Sequence, residues 1–192
     1  MFVAFMTVLI LLSAVATGGQ FQRLAEVRLR HSWLIMAALA VQVLITEIDF
    51  GAPKNVLVAL HLATYAAAGV AIWANRALPG LVIIAAGALL NGVTIALNGG
   101  TLPANQHALV TAGLADPTEA FQNSGVVAHP VLAWFGDIMA TPAWLPFRNV
   151  ISIGDLLILL GAGVLIHGVT DTLAARALRQ RLQRVPAGDY AA

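Results

Sequence analysis

The sequence predicts an all-α fold, an integral membrane bundle of five transmembrane helices, and three observations favour it. First, 59% of the 192 residues are hydrophobic and only 10% are charged, whereas a soluble domain carries about a quarter charged residues. Second, the apolar residues are gathered in five runs close to the roughly 20 residues needed to cross a bilayer. Third, the basic residues are divided unequally among the segments that connect these runs. We therefore expect one membrane domain over residues 1–192.

Each predicted span is an apolar run bounded by polar or turn-forming residues. No basic residue precedes the first run, so we interpret it as a retained span rather than a cleaved signal peptide. Pro79 opens the fourth run and Asn98-Gly99-Gly100 ends it, as expected at helix termini. The spans are Phe2–Gly18, Ser32–Phe50, Asn55–Ala74, Pro79–Asn98 and Val150–Val169, with an outer loop over 99–149 and a basic tail over 170–192.

The arginines and lysines predict the orientation of the bundle. If five helices alternate in direction, only Lys54 and Arg148 of the ten basic residues fall on one side. Basic residues are retained on the cytoplasmic side, so the N-terminus and the loop 99–149 are expected outside and the C-terminus in the cytoplasm. This indicates a multi-pass protein of the cytoplasmic membrane. A net charge of +1 argues against a nucleic-acid partner.

The outer loop is expected to contain short interfacial helices. Asp116-Pro117-Thr118-Glu119 has the pattern of a capping box and predicts a helix near Pro117–Gln122. Pro130 could open a second helix over Pro130–Met139. Trp134 and Trp144 are expected at the level of the lipid headgroups, where membrane proteins concentrate aromatic residues.

Three spans carry polar residues on one helical face, the second of them with Gln42 and Thr46, and we expect these faces to meet. His61 and Tyr65 are separated by one helical turn in the third span, and Asn91, Thr94 and Asn98 follow the same spacing in the fourth. One interpretation is hydrogen bonding between helices. The other is an outward-facing pocket for a lipid or small solute, lined by these five residues of the third and fourth spans.

Two acids near the outer interface, Asp137 and Asp155, are candidate catalytic residues. Paired carboxyl groups can act as acid and base when their pKa values differ. The alternative for Asp155 is a capping box with Ser152 as the N-cap residue. The five histidines lack metal-ligand spacing and cysteine is absent, so no metal or cofactor is predicted.

The fifth span has a strip of small residues. Gly154, Gly161 and Gly168 are spaced by seven, which allows another backbone to approach closely. This strip could support self-association or contact with other membrane subunits. Membrane lipids are the other expected partners, because the basic tail can touch anionic headgroups.

Four short motifs occur in order: Asn75-Arg76-Ala77-Leu78-Pro79-Gly80, an Asn-Gly-Gly-x-x-Pro motif at 98–103, Phe135-Gly136-Asp137-Ile138, and an Asn-x-x-Ser-Ile-Gly-Asp motif at 149–155. Together they resemble an uncharacterised family of small bacterial polytopic membrane proteins, a domain of unknown function. The resemblance extends from about Arg23 to Gly161 and implies a membrane topology without an activity.

Phe147-Arg148-Asn149 before Asp155 is also similar, more weakly, to the segment that opens the last span of lipoprotein signal peptidase. The Asn-to-Asp spacing is six residues here and three in that enzyme, and its second motif is absent. The similarity implies an intramembrane aspartyl hydrolase as one alternative.

The chain contains no phosphate-binding loop, dinucleotide glycine pattern or Gly-x-Ser-x-Gly elbow. We therefore expect a non-catalytic subunit or accessory module of a membrane assembly. The ligand pocket and the aspartyl hydrolase are the two alternatives.

Overall fold

The computed structural model describes residues 2–47, 51–114, 124–142, 144–145 and 148–184. Within these ranges the chain is mostly helical. The helices are α1 (Phe2–Ala16), α2 (Gln22–Glu26), α3 (Ser32–Glu47), α4 (Lys54–Ala74), α5 (Leu81–Leu97), α6 (Gln106–Ala112), α7 (Ile153–Val169) and α8 (Leu173–Arg184). The strands are β1 (Leu102–Pro103), β2 (Ser124–Gly125), β3 (Asp137–Ala140) and β4 (Val150–Ser152). The predicted helix near 117–122 lies outside the described residues.

A long helix overlaps each of the five apolar runs, but the lengths differ from the prediction. Helices α1, α3, α5 and α7 have 15 to 17 residues, which corresponds to about 22 to 26 Å at 1.5 Å per residue. Among the described residues, only α4 is long and apolar enough by itself to cross a membrane. A second candidate span is obtained if α7 and α8, which are bent by 89° from each other, are taken together. The structure therefore supports a mostly helical chain with one clear candidate span.

The long helices pack side by side in the order α3, α4, α5, α7, α1. The closest contact is between α5 and α7, where the two backbones meet. A Cβ atom on Gly161 would lie 2.7 Å from the amide nitrogen of Ile84 and 2.8 Å from the carbonyl oxygen of Gly80. A Cβ atom on Gly168 would lie 2.7 Å from the Pro79 ring. The predicted glycine strip thus packs against α5 and the Pro79 turn before it in the same chain.

The segment between α5 and α7 contains more strand than the sequence predicted. We call its described residues, within 99–152, the cap. In the cap, β1 pairs with β2 in parallel and β3 pairs with β4 in an antiparallel arrangement. The predicted helix over Pro130–Met139 is wrong, because only a 3₁₀ turn at Ala133–Phe135 precedes β3. Gly136 lies against the carbonyl group of Pro103 with no space for a Cβ atom, and this close approach directs the chain into β3.

The cap also contains α6, which the sequence analysis did not predict. Its termini nevertheless carry ordinary signals. The Asn105 side chain accepts a hydrogen bond from the Ala108 amide at the N-terminus, and Gly113 adopts the left-handed conformation at the C-terminus, as helix ends favour. Ala108 and Ala112 pack against Val150, so within the cap α6 lies against β4, the strand that leads into α7.

The end of the bundle opposite the cap is held by hydrogen bonds between two chain segments. The Gln20 amide donates to the Thr170 carbonyl group (2.7 Å), and the Leu173 amide donates to the Thr17 carbonyl group (3.0 Å). The segment after α1 is thereby fixed to the bend between α7 and α8.

Candidate functional site

The polar site begins at the N-terminus of α7, where Ser152 and Asp155 form the predicted capping box. The Asp155 amide donates to Ser152 Oγ, and the Ser152 amide donates to Asp155 Oδ2, both at 3.0 Å. These bonds satisfy amides that a helix leaves without partners in its first turn. The capping interpretation of Asp155 is confirmed.

Asn91 connects this capping box to α5. Its Nδ2 donates to Asp155 Oδ1 at 3.0 Å, and its Oδ1 accepts from Ser152 Oγ at 2.9 Å. Asn91 is almost fully buried and Ser152 is completely buried. The Asp155 carboxylate therefore receives hydrogen bonds from a backbone amide and a side-chain amide.

Asp137 is the second acid, and it links the two sheets of the cap. It begins β3 and is paired with Ser152 at the end of β4. Ser124 of β2 donates a hydrogen bond to Asp137 Oδ2, and the Asn105 amide donates to the Asp137 carbonyl oxygen at 2.8 Å. Asp137 Oδ1 is buried and has no hydrogen-bond partner among the described residues.

This environment favours the neutral acid form of Asp137. The pKa of Asp137 is raised to about 6 as the sum of three effects: burial raises it most, the Ser124 hydrogen bond lowers it, and the nearby charge of Asp155 raises it. A charged group loses favourable hydration when it is buried, and a second negative charge adds repulsion. The two carboxyl groups thus interact, and both act electrostatically on Tyr65 of α4.

The accessibility of the two acids bears on whether such a pair could exchange a proton with a substrate. Asp137 is only 4% exposed. Neither Asp137 nor Asp155 lines the cavities of about 690, 420 and 320 Å³ that the described residues form. Both acids also position backbone groups, because the Asn105 amide donates to the Asp137 carbonyl oxygen and the Ser152 amide donates to the Asp155 carboxylate.

The residues of the predicted ligand pocket are mostly engaged with one another or with neighbouring helices. His61 is fully buried; its Nδ1 lies 2.9 Å from Gln42 Oε1, and its ring contacts Tyr65 edge-on at 5.2 Å. Thr94 is also fully buried and donates to the Leu90 carbonyl oxygen. Of these residues, Tyr65 lines the cavity of about 420 Å³ between α4 and α5, which neither His61 nor Asn91 lines.

Asn98, the fifth residue of that set, connects α5 to the cap. Its Nδ2 donates to the Val131 carbonyl oxygen and its Oδ1 accepts from the Val131 amide, both at 2.8 Å. Sequence reasoning missed this anchor, and it missed Ser124 as the partner of Asp137. In both cases the partners are distant along the chain, and no spacing rule connects them.

The described residues contain no group of three or more histidines, aspartates or glutamates that could hold a metal ion. The fold and the site define a small, mostly helical protein in which Asp155 caps α7 and Asp137 pairs with the strand that precedes it.

A family model, DUF5317, described as a family of unknown function, matches residues 26–167. The chain belongs to this family, so the expectation of a family without an assigned activity is confirmed. An uncharacterized protein of Thermotoga maritima is 34% identical over 92 residues, which are 47% of this chain and 51% of the relative. The chain thus spans about half the length of this curated relative. No solved structure matches the chain.

Proposed function

We propose that the protein is a non-catalytic module of the bacterial cytoplasmic membrane. In this proposal α1, α3, α4, α5 and α7 cross the bilayer, the cap lies outside, and α8 lies at the cytoplasmic surface. The sequence and the exposed surface of the bundle support this arrangement, and the burial of Asp137 supports a role without catalysis.

The first support is the apolar surface of the bundle. Large apolar side chains are exposed on each long helix, for example Leu12 of α1 (58% exposed), Leu39 of α3 (57%), Val70 of α4 (56%), Leu89 of α5 (67%) and Leu160 of α7 (58%). Soluble monomers rarely expose contiguous apolar patches larger than a few hundred Å². In a bilayer these side chains would contact lipid instead of water, which removes the unfavourable free energy of their hydration.

The positions of the four tryptophans are the strongest support for the proposal. All four are strongly exposed, and they lie at the two ends of the bundle: Trp33 and Trp73 at one end, Trp134 and Trp144 in the cap. The Arg76 guanidinium also lies 4.6 Å from the centre of the Trp73 ring. Two aromatic belts separated by an apolar zone are typical of proteins that cross a bilayer.

Short helices are compatible with this proposal. Helices of 15 to 17 residues are at or just below the lower end of the usual range for a span, and a bilayer can thin locally around a short span at modest cost.

The orientation is testable because the chain contains no cysteine. His129→Cys places a thiol on the exposed surface of the cap, and Gln180→Cys places one on α8. In intact spheroplasts, a membrane-impermeant maleimide should label the first variant, and the second should react only after permeabilisation. The reverse pattern would refute the orientation, and extraction of the protein by alkaline carbonate would refute membrane insertion.

The role as a module is tested with photocrosslinking residues. A crosslinker at Leu89, on the exposed face of α5, should yield a discrete adduct with a second membrane protein in living cells. The matched control is Leu12 on α1, which has similar exposure. If neither position gives a protein adduct and the purified protein is a monomer, the module proposal is wrong.

A further inference from the structure

An apolar groove lies where α8 turns away from α7. Its volume is about 690 Å³, and its walls come from three helices: Met6 and Ile10 of α1, Leu160 and Val164 of α7, and Leu178 of α8. Nothing lies within 4 Å of the position that a Cβ atom would take on Gly163, so the groove is open in front of that residue. Ligand pockets for small molecules typically have volumes of about 300 to 1,000 Å³.

One edge of this groove carries positive charge. Arg179 of α8 lines the groove and forms an ion pair with Asp171. Arg23 forms a second ion pair with the same carboxylate at 3.2 Å. Two guanidinium groups share one carboxylate, so the cluster retains a net charge of +1. Arg23 and Arg179 are also 44% and 55% exposed, which leaves donors available to a further anion.

The direction of α8 places this charge beside the entrance of the groove. Helices α7 and α8 meet at 89°, so α8 lies along the membrane surface if α7 crosses the bilayer. Arg176 and Arg181 add two further charges to α8, and its apolar residues Leu173 and Leu182 remain exposed. An amphipathic basic helix of this kind is typical of a membrane surface rich in anionic lipid.

We propose that this groove binds one anionic phospholipid, with an acyl chain between α1 and α7 and the phosphate on Arg23 and Arg179. The inference rests on the proposed function, because it requires α8 at the cytoplasmic membrane surface. The occupant is chosen by charge complementarity. A zwitterionic lipid would satisfy the apolar walls but not the excess positive charge, and basic pockets on the cytoplasmic side are known to bind anionic headgroups.

The test uses the full chain in detergent and native mass spectrometry, titrated with phosphatidylglycerol or with phosphatidylcholine of the same acyl chains. We expect phosphatidylglycerol to bind at least about fivefold more tightly, because each basic residue contributes about a factor of five in affinity. Arg179→Gln should weaken phosphatidylglycerol binding about fivefold and leave phosphatidylcholine binding unchanged. Arg76→Gln is the control, since Arg76 lies over Trp73 and outside the groove.

A second pair of variants tests the groove itself. Gly163→Leu should fill the space beside Val164 and abolish binding of both lipids. Gly69→Leu is the matched control on α4, because the Cβ position of Gly69 is equally open and faces another cavity. Thermal unfolding without lipid shows whether each variant is folded before its lipid binding is compared.

Equal affinity for the two phospholipids, or full binding by Gly163→Leu, would overturn the inference. A dimer that forms while lipid is displaced would also overturn it, because a second copy would then occupy the groove. The maleimide labelling pattern of His129→Cys and Gln180→Cys distinguishes a failure of the proposed membrane orientation from a failure of the lipid inference. If that pattern holds and the lipid preference is absent, only the lipid inference is wrong.

Discussion

Replacing Asp137 with asparagine should stabilise the protein at neutral pH and remove the contribution of Asp137 to the pH dependence of its stability. The amide has nearly the same shape as the protonated acid. Its oxygen can still accept the hydrogen bond from Ser124, while its NH₂ group replaces the buried oxygen that has no partner among the described residues. Asp137→Asn therefore resembles the protonated wild-type protein at every pH.

The magnitude follows from the pKa of Asp137. Burial, with a further contribution from Asp155, raises this pKa from 3.8 to about 6. At about 1.4 kcal/mol per pKa unit, this corresponds to about 3 kcal/mol. The folded protein holds the proton more tightly than the unfolded chain. The stabilising contribution is therefore complete below about pH 3.8 and is lost as the pH rises through about 6. Above that pH, Asp137→Asn should be more stable than the wild type by up to about 3 kcal/mol.

The assay is unfolding in detergent, followed by tryptophan fluorescence between about pH 4 and about pH 8. The control is Glu26→Gln, which removes an exposed acid on α2 and should follow the wild-type curve. The reasoning is refuted if Asp137→Asn keeps the wild-type loss of stability between about pH 4 and pH 6, or if it is less stable than the wild type at neutral pH.

Three other substitutions test the site and its supports. Asp155→Asn should destabilise the protein by about 1 to 2 kcal/mol in the same unfolding assay. The Ser152 amide and the Asn91 side chain each donate to a different oxygen of Asp155, and an asparagine side chain has only one acceptor oxygen. An unchanged unfolding midpoint would contradict this. Gly161→Ala should lower the free energy of unfolding by about 1 to 3 kcal/mol, because its Cβ atom meets the α5 backbone. Gly163→Ala lies two residues further along α7 and faces open space, so it should be neutral or slightly stabilising. Equal effects of the two substitutions would show that the two helices separate easily. Asn98→Ala should release the main chain at Val131 and accelerate limited proteolysis of the cap without changing cleavage of α8, and an unchanged cap cleavage rate would exclude Asn98 as its anchor.

Local signals in the sequence predicted the positions of the long helices and the capping box of α7 well. The predicted third span, Asn55–Ala74, differs by one residue from α4, because apolar periodicity and turn residues mark helix ends directly. The Ser152–Asp155 capping box was predicted for the same reason: both partners lie within one helical turn. Lengths were less predictable, since apolar residues continue beyond the hydrogen-bonded part of several helices.

The cap was predictable only in part, because its contacts are distant in sequence. Strands of two to four residues are too short to show an alternating pattern. The pairing of Asp137 with Ser152 and the bond from Ser124 depend on where the chain returns after α5, which no local rule specifies. The spacing of the glycines in α7 indicated a close helix contact but not that α5 would supply it.

The glycines and the polar site depend on the same geometry. A Cβ atom on Gly154 would overlap the side chain of Asn91 and lie 2.8 Å from the carbonyl oxygen of Gly87. Asparagine has a short side chain, so Asn91 can reach Ser152 and Asp155 only where α5 and α7 approach to backbone contact. That approach in turn buries Ser152 and Gly154 at the start of α7, where the capping box satisfies backbone amides. The small residues and the polar residues are therefore parts of one arrangement.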